Sequence, residues 1–206
     1  MIAIDSLLSI AAAFFVVTVS PGPANIAVAS VAMSVGRRRG LLFGAGLALG
    51  LAFWGVIAAT GLGAILQASE HVLMGLKLVG GAYLLWLAWQ SGRSAVRASD
   101  DANRSTNTGG WFWRGLILNL SNPKAVVAWI AALSMGLGAG DGSSQLVLAT
   151  LTCMALGVAN YAGYALVFSM PGAMAGYRRL RRWIDGVVSG LFALAGFGLI
   201  RSAFTR

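Results

Sequence analysis

The chain of 206 residues is 58% hydrophobic and only 10% charged, which is too little polar side chain to cover a water-soluble domain of this length. The net charge of +9 could suggest nucleic-acid binding, but the basic residues lie in clusters between apolar runs and form no separate polar face. We therefore expect an all-α, polytopic membrane protein that lies in the lipid bilayer and binds no nucleic acid.

Apolar runs predict six transmembrane helices. In chain order they are Leu7–Met33, Leu41–Leu66, Val72–Trp89, Phe112–Leu137, Leu146–Met170 and Trp183–Ile200. Each run is long enough to cross a hydrocarbon core of about 30 Å. The first run has no positive charge before it and is longer than the apolar core of a signal peptide, so we expect it to be a permanent span.

The positions of the basic residues predict the orientation of the spans. Clusters at Arg37–Arg39, from Arg93 to Arg114 and from Arg178 to Arg182 follow the first, third and fifth spans. Loops rich in Lys and Arg stay in the cytoplasm, so both termini are predicted to lie outside.

A polar segment divides this single membrane domain (residues 1–206) into two halves of three spans each. Residues 93–110 are predicted to form a cytoplasmic linker between a first half, 1–92, and a second half, 111–206. Because each half has an odd number of spans, the second half enters the membrane from the opposite side. This is the arrangement of an inverted repeat.

The opening span of each half carries a proline-containing interruption. The first span contains Ser20-Pro21-Gly22-Pro23, with Asn25 close behind, and the fourth contains Asn119-Leu120-Ser121-Asn122-Pro123-Lys124. Proline removes a backbone donor, and unwound backbone persists in a membrane only where protein or a water-filled cavity satisfies it. Corresponding interruptions in two halves point to the binding site of a transporter.

The interruptions predict a site for a carboxylate. A helix that restarts after Pro23 or Pro123 exposes unpaired N–H groups and a positive dipole end. Lys124 adds a full positive charge, which costs about 2.5–3.5 kcal/mol near the bilayer centre and so usually faces a cavity. The alternative is that Lys124 extends to the cytoplasmic interface or caps a neighbouring helix.

Other polar residues within the spans are weaker candidates. Lys77 either faces the cavity or extends outward, since it lies near the outer end of its span. Four further side chains could line the cavity or simply bond neighbouring helices: Tyr83, Asn160, Tyr161 and Tyr164. No span interior contains Asp or Glu, which favours neutral over basic substrates. Asp185 is the nearest candidate for proton coupling, and the alternative is a charge at a helix N-terminus.

Glycines with four-residue spacing predict close helix packing, with a gating role as the alternative. They are Gly36, Gly40, Gly44, Gly46, Gly50, Gly186 and Gly190. These faces would permit a homodimer without requiring one. The single cysteine excludes an internal disulfide, and no cofactor or metal is expected because the motifs for them are absent.

Four motifs together resemble the LysE/RhtB superfamily of amino-acid exporters. They are Ser20 to Pro23, the spaced glycines after Arg39, the stretch from Lys77 to Leu84, and Phe112-Trp113-Arg114-Gly115 leading to Asn119 and Asn122-Pro123-Lys124. The resemblance covers nearly the whole chain in order. It implies a secondary transporter of the bacterial inner membrane that exports amino acids, driven by the proton gradient.

The expected function is therefore export of neutral amino acids or their derivatives, an antiporter activity in which two rocking halves alternate access to a central site. The expected substrate-binding residues are Pro21, Gly22, Pro23, Asn25, Lys77, Tyr83, Asn119, Asn122, Pro123 and Lys124. A channel or an exporter of another small solute or ion is the alternative. A membrane-embedded enzyme is disfavoured because only Ser, Asn, Tyr and Lys are available inside the spans.

Overall fold

The computed structural model describes residues 4–68, 70–96, 109–136 and 143–204, and every regular element within them is an α-helix, as expected. In chain order these helices are α1 (Ile4–Val19), α2 (Pro23–Val35), α3 (Arg37–Ala68), α4 (Glu70–Val96), α5 (Trp111–Leu120), α6 (Pro123–Gly136), α7 (Ser143–Val167) and α8 (Ala173–Phe204).

The described helices contain three to five candidate membrane spans. Segments of α3, α7 and α8 are each long and apolar enough to cross a bilayer, and two bent pairs, α1 with α2 and α5 with α6, raise the number to five. Helix α4 coincides with the third predicted span but is not among these five. The sixth span and the inverted repeat therefore stay predictions. Large apolar side chains such as Leu8, Phe53 and Leu194 are exposed, as a lipid-facing surface requires.

Both predicted interruptions are present. The axis bends by 56° between α1 and α2 and by 60° between α5 and α6. The prediction that the first and fourth spans are discontinuous is confirmed. The bends are similar in size and lie in the opening span of each predicted half, which is consistent with a repeat.

Several helices are longer than the apolar runs predict. Helix α4 continues to Val96, and α8 begins at Ala173, ten residues before the predicted start at Trp183. Arg179 and Arg182 thus lie on a helix and not in the loop where we expected them. The difference arises because hydropathy detects the hydrocarbon core, whereas helical hydrogen bonds continue into the polar interface.

Glycines allow three pairs of helices to approach closely: α3 with α5, α4 with α8, and α3 with α7. Helices α3 and α5 run parallel, with Gly115 against the backbone of Phe43 and Asn119 bonded to the carbonyl of Leu47. A side chain at Gly115 would collide with the Phe43 carbonyl, so this crossing requires glycine.

Helices α4 and α8 run antiparallel. Gly81 lies against Gly196, and farther along Ser189 donates through Oγ to the Ala88 carbonyl, 2.7 Å away. Helix α7 is likewise antiparallel to α3: Gly44 contacts Tyr161, and Gly157 contacts Leu51.

These directions bring basic residues together at two groups of helix ends. The starts of α3 and α5 lie together, the end of α7 lies beside the start of α3, and the end of α4 lies beside the start of α8. Arg37, Arg93, Arg114 and Arg182 are all exposed near these ends. That all of these ends lie on one cytoplasmic side stays a prediction.

Candidate functional site

The break in the first span leaves carbonyl groups at the end of α1 without helical partners. Pro21 and Pro23 have no N–H to offer them. Asn25, one turn into α2, fills part of the gap because its Nδ2 donates to the carbonyl of Thr18 at 2.6 Å and to that of Ser20 at 2.9 Å. The side chain of Asn25 is buried, so the break is stabilised from within the same span.

Two other helices supply the remaining donors. The Tyr164 hydroxyl on α7 donates to the Val19 carbonyl at 2.7 Å. Lys124 Nζ on α6 donates to the Ser20 carbonyl at 3.0 Å and also to the Ser20 hydroxyl oxygen. Lys124 therefore caps the carbonyl end of a neighbouring helix, which was one of the alternatives, and it joins the break of the second half to that of the first.

The start of α2 lies beside the same ammonium group. Gly22 is the N-cap residue of α2 and provides no side-chain cap. A Cβ atom at Gly22 would lie 2.9 Å from Lys124 Nζ. A cation thus sits at the positive end of a helix dipole, a place that favours an anion.

The second break is organised by two asparagines. Asn119 Nδ2 donates to the Leu47 carbonyl at 2.6 Å and to the Tyr161 hydroxyl at 3.1 Å. Asn122 Nδ2 donates to Asn119 Oδ1 at 3.2 Å, and Asn122 Oδ1 accepts from the Lys124 backbone N–H at 3.1 Å. Asn122 is therefore the N-cap of α6.

A small cavity lies between the two breaks. It is lined by Val17, Thr18, Gly22, Ala24, Asn25, Leu51, Asn122, Lys124, Ala125, Ala128 and Tyr161. The cavity has a volume of about 20 Å³. This is enough for a water molecule but not for an amino acid.

The predicted site residues fall into three groups. Gly22, Asn25, Asn122 and Lys124 line the cavity. Pro21, Pro23, Asn119 and Pro123 lie in or beside the breaks without lining it. Tyr83 lies on α4 with its ring against Trp86, 5.3 Å between centroids, and is not among the lining residues. Lys77 belongs to α4, but its side chain lies outside the described part of the chain.

Sequence reasoning missed two indole donors. Trp54 Nε1 donates to the Leu120 carbonyl at 3.2 Å, and Trp129 Nε1 donates to the Leu51 carbonyl at 2.8 Å. Both tie α3 to the second break. The only signal available was that a buried indole N–H needs an acceptor, which does not say which one.

Asn160 and Asp185 are both buried. Asn160 Nδ2 donates to Asn25 Oδ1 at 3.0 Å, which extends the network of the first break onto α7. Asp185 was expected at a helix start, but α8 begins at Ala173, so Asp185 lies well inside the helix.

Comparison with known proteins gives a family match over most of the chain. The family model of the LysE type translocator matches residues 15–203. The chain is 32% identical over 198 residues to a threonine efflux protein of Salmonella typhi, covering 93% of this chain and 94% of the relative. It is 30% identical over 197 residues to a threonine efflux protein of Escherichia coli strain K12, covering 93% and 95% of the two chains. An uncharacterized membrane protein of the same strain, YahN, is 31% identical over 196 residues, covering 93% and 88%. No solved structure matches the chain.

Proposed function

Since the chain belongs to the LysE type translocator family, whose members similar to it include threonine efflux proteins, we propose that it is a secondary transporter that exports neutral amino acids or close derivatives. The family and the names of the relatives indicate a membrane transporter of amino acids and not an enzyme. The finer assignment, to neutral substrates, proton-driven antiport and the inner membrane with both termini outside, is part of the proposal.

The observation that carries the proposal is the meeting of the two breaks at one cavity. Lys124, from the second break, bonds to Ser20 in the first. Discontinuous helices that meet at the interface of two halves are the usual construction of a substrate site in secondary transporters.

The cavity offers a binding site for a carboxylate. The uncapped N-terminus of α2 and the ammonium group of Lys124 both attract negative charge. The lining residues include no Asp or Glu, so nothing there would bind a cationic side chain. Ala24, Ala125 and Ala128 leave the walls small and apolar, which suits a short neutral side chain.

Transport requires the cavity to open, since its volume is too small for an amino acid. Rocking of residues 1–92 against residues 111–206 would part the two breaks and open the cavity to one side at a time. The Lys124–Ser20 contact is one of several bonds that span the two halves beside the cavity, together with Asn160–Asn25 and Trp129–Leu51, so these bonds must lengthen or exchange in that motion.

The test is amino-acid efflux from cells fed dipeptides, with and without the protein. We expect Lys124→Ala to abolish efflux and Lys124→Arg to retain part of it, since arginine keeps the charge but not the geometry. Gly163→Ala serves as the control, because nothing lies near Gly163. Normal efflux by Lys124→Ala would refute the site, and flux that persists without a gradient would favour a channel.

A further inference from the structure

The last turn of α1 is an acceptor site in which a cation is already bound. Three successive carbonyls, of Thr18, Val19 and Ser20, point out of the end of the helix, where the dipole is negative. The Ser20 carbonyl and hydroxyl oxygen both accept from Lys124 Nζ. Ser20 is completely buried, and Lys124 is partly buried.

The ammonium group of lysine is chemically the same as the α-ammonium group of an amino acid. Both are strongly hydrated and have donors but no acceptor. A site that binds one with a backbone carbonyl and a hydroxyl can bind the other. The uncapped N-terminus of α2, suited to the carboxylate, begins two residues after Ser20.

The hydrogen-bond network of the first break also contains an acceptor without a donor among the described residues. Asn25 Nδ2 donates to two carbonyls, so Asn25 has only Oδ1 left to bond to Asn160. This oxygen accepts, so Asn160 donates to it through Nδ2. Asn160 Oδ1 is therefore left as an acceptor, and it has no hydrogen-bond partner among the described residues although Asn160 is 8% exposed. A buried acceptor of this kind normally accepts from a protein group, a water molecule or a ligand.

Resting on the proposed export of amino acids, we propose that the Ser20 carbonyl and hydroxyl form the subsite for the substrate's α-ammonium group, and that Lys124 occupies this subsite when no substrate is bound. The incoming ammonium group displaces Lys124 Nζ from Ser20. Lys124 then turns to the substrate carboxylate at the start of α2. Gly22 leaves the space for this exchange, since a side chain there would press on Nζ.

The proposal predicts opposite effects of one substitution on two kinds of ligand. In Lys124→Met, a carboxylic acid loses its cationic partner and should bind more weakly. A simple amine has no carboxylate to lose, and it no longer competes with Nζ for Ser20, so it should bind more tightly. An ordinary structural or carboxylate-binding role for Lys124 would not improve the binding of an amine.

The experiment uses the full chain in proteoliposomes and measures exchange of labelled threonine. The competitors are threonine, 2,3-dihydroxybutyrate, in which a hydroxyl replaces the ammonium group, and 1-amino-2-propanol, which lacks the carboxylate. Binding of each competitor is measured in a thermal-shift assay. We expect Lys124→Met to bind 1-amino-2-propanol at least about threefold more tightly than wild type. Because Asn25 still donates to the Ser20 carbonyl, this variant should fold.

Ser20→Ala tests the subsite directly. Removing a hydrogen bond to a charged group should lower the affinity for threonine about tenfold. The affinity for 2,3-dihydroxybutyrate should change less than about threefold. Ser34→Ala is the matched control, because Ser34 is an exposed serine of α2 that bonds only to its own helix.

The possible outcomes separate the two proposals. Failure of wild-type protein to exchange or bind any amino acid would overturn the proposed function. Two results would refute the ammonium subsite while the exporter assignment stands, provided that wild type exchanges threonine. One is that Ser20→Ala lowers the affinities for threonine and 2,3-dihydroxybutyrate equally. The other is that Lys124→Met does not bind 1-amino-2-propanol more tightly.

Discussion

Gly46→Ala should separate α3 from α5 and damage the site without touching it. Gly46 lies against the backbone of α5, and a Cβ atom there would collide with the Phe112 carbonyl oxygen and lie 2.8 Å from the Leu116 nitrogen. Neither atom can turn aside, because both belong to helical backbone. To reach 3.4 Å from the Leu116 nitrogen alone, α5 must retreat by about 0.6 Å.

The free energy of unfolding should fall by about 1–3 kcal/mol, the usual cost of overpacking. Alanine gains up to about 1 kcal/mol in helix propensity over glycine, which offsets only part of this cost. The same retreat would lengthen the bond from Asn119 Nδ2 to the Leu47 carbonyl, now 2.6 Å, so efflux should fall as well.

The assay is thermal unfolding of the purified protein in detergent, followed by tryptophan fluorescence, together with efflux from whole cells. Gly163→Ala is the control for propensity, since it adds the same methyl group to a helix where nothing lies within 4 Å. It should leave stability unchanged or raise it. A melting temperature for Gly46→Ala equal to that of Gly163→Ala would refute the close α3–α5 crossing.

Three further substitutions separate the roles of single groups. Gly22→Ala should lower efflux, because the Cβ atom of the new alanine displaces Lys124 Nζ. The melting temperature should not fall, since Gly22 has an extended backbone that alanine adopts easily. A fall in the melting temperature would argue against this. Tyr164→Phe should lower the free energy of unfolding by about 1–3 kcal/mol, since the partly buried Val19 carbonyl loses its donor. An unchanged urea midpoint would contradict that bond. Trp129→Ala should lower the free energy of unfolding by about 3–5 kcal/mol, because Trp129 is completely buried. The measurement is the loss of folded protein on size-exclusion chromatography.

The breaks could be predicted because their causes are local. Prolines at 21, 23 and 123 remove donors wherever the chain goes, and the structure bends at those places. Membrane insertion is equally local, since it depends on the length and hydropathy of each run. The partners of the breaks are not local: Ser20 and Lys124 are far apart in sequence, and no spacing rule links them.

The contacts of the glycines likewise cannot be predicted from local sequence alone. Gly46 and Gly50 do pack closely, as the four-residue spacing predicts, whereas Gly186 and Gly190 have the same spacing with nothing within 4 Å. Spacing establishes that small residues share a helix face. It cannot establish whether another helix of the same chain covers that face.

The contacts at the cavity also bear on how tightly a substrate can bind. The oxygen atoms of Ser20 and the amide of Asn25 already have internal partners in this conformation. In the proposed binding mode a substrate replaces these bonds and does not add to them, so its binding free energy is the difference between two similar sets of interactions. Such exchange keeps affinity low on both sides of the membrane. For the proposed exporter, which must release its substrate against a concentration difference, this exchange is an advantage, because we expect the bond from Lys124 to Ser20 to re-form as the substrate leaves.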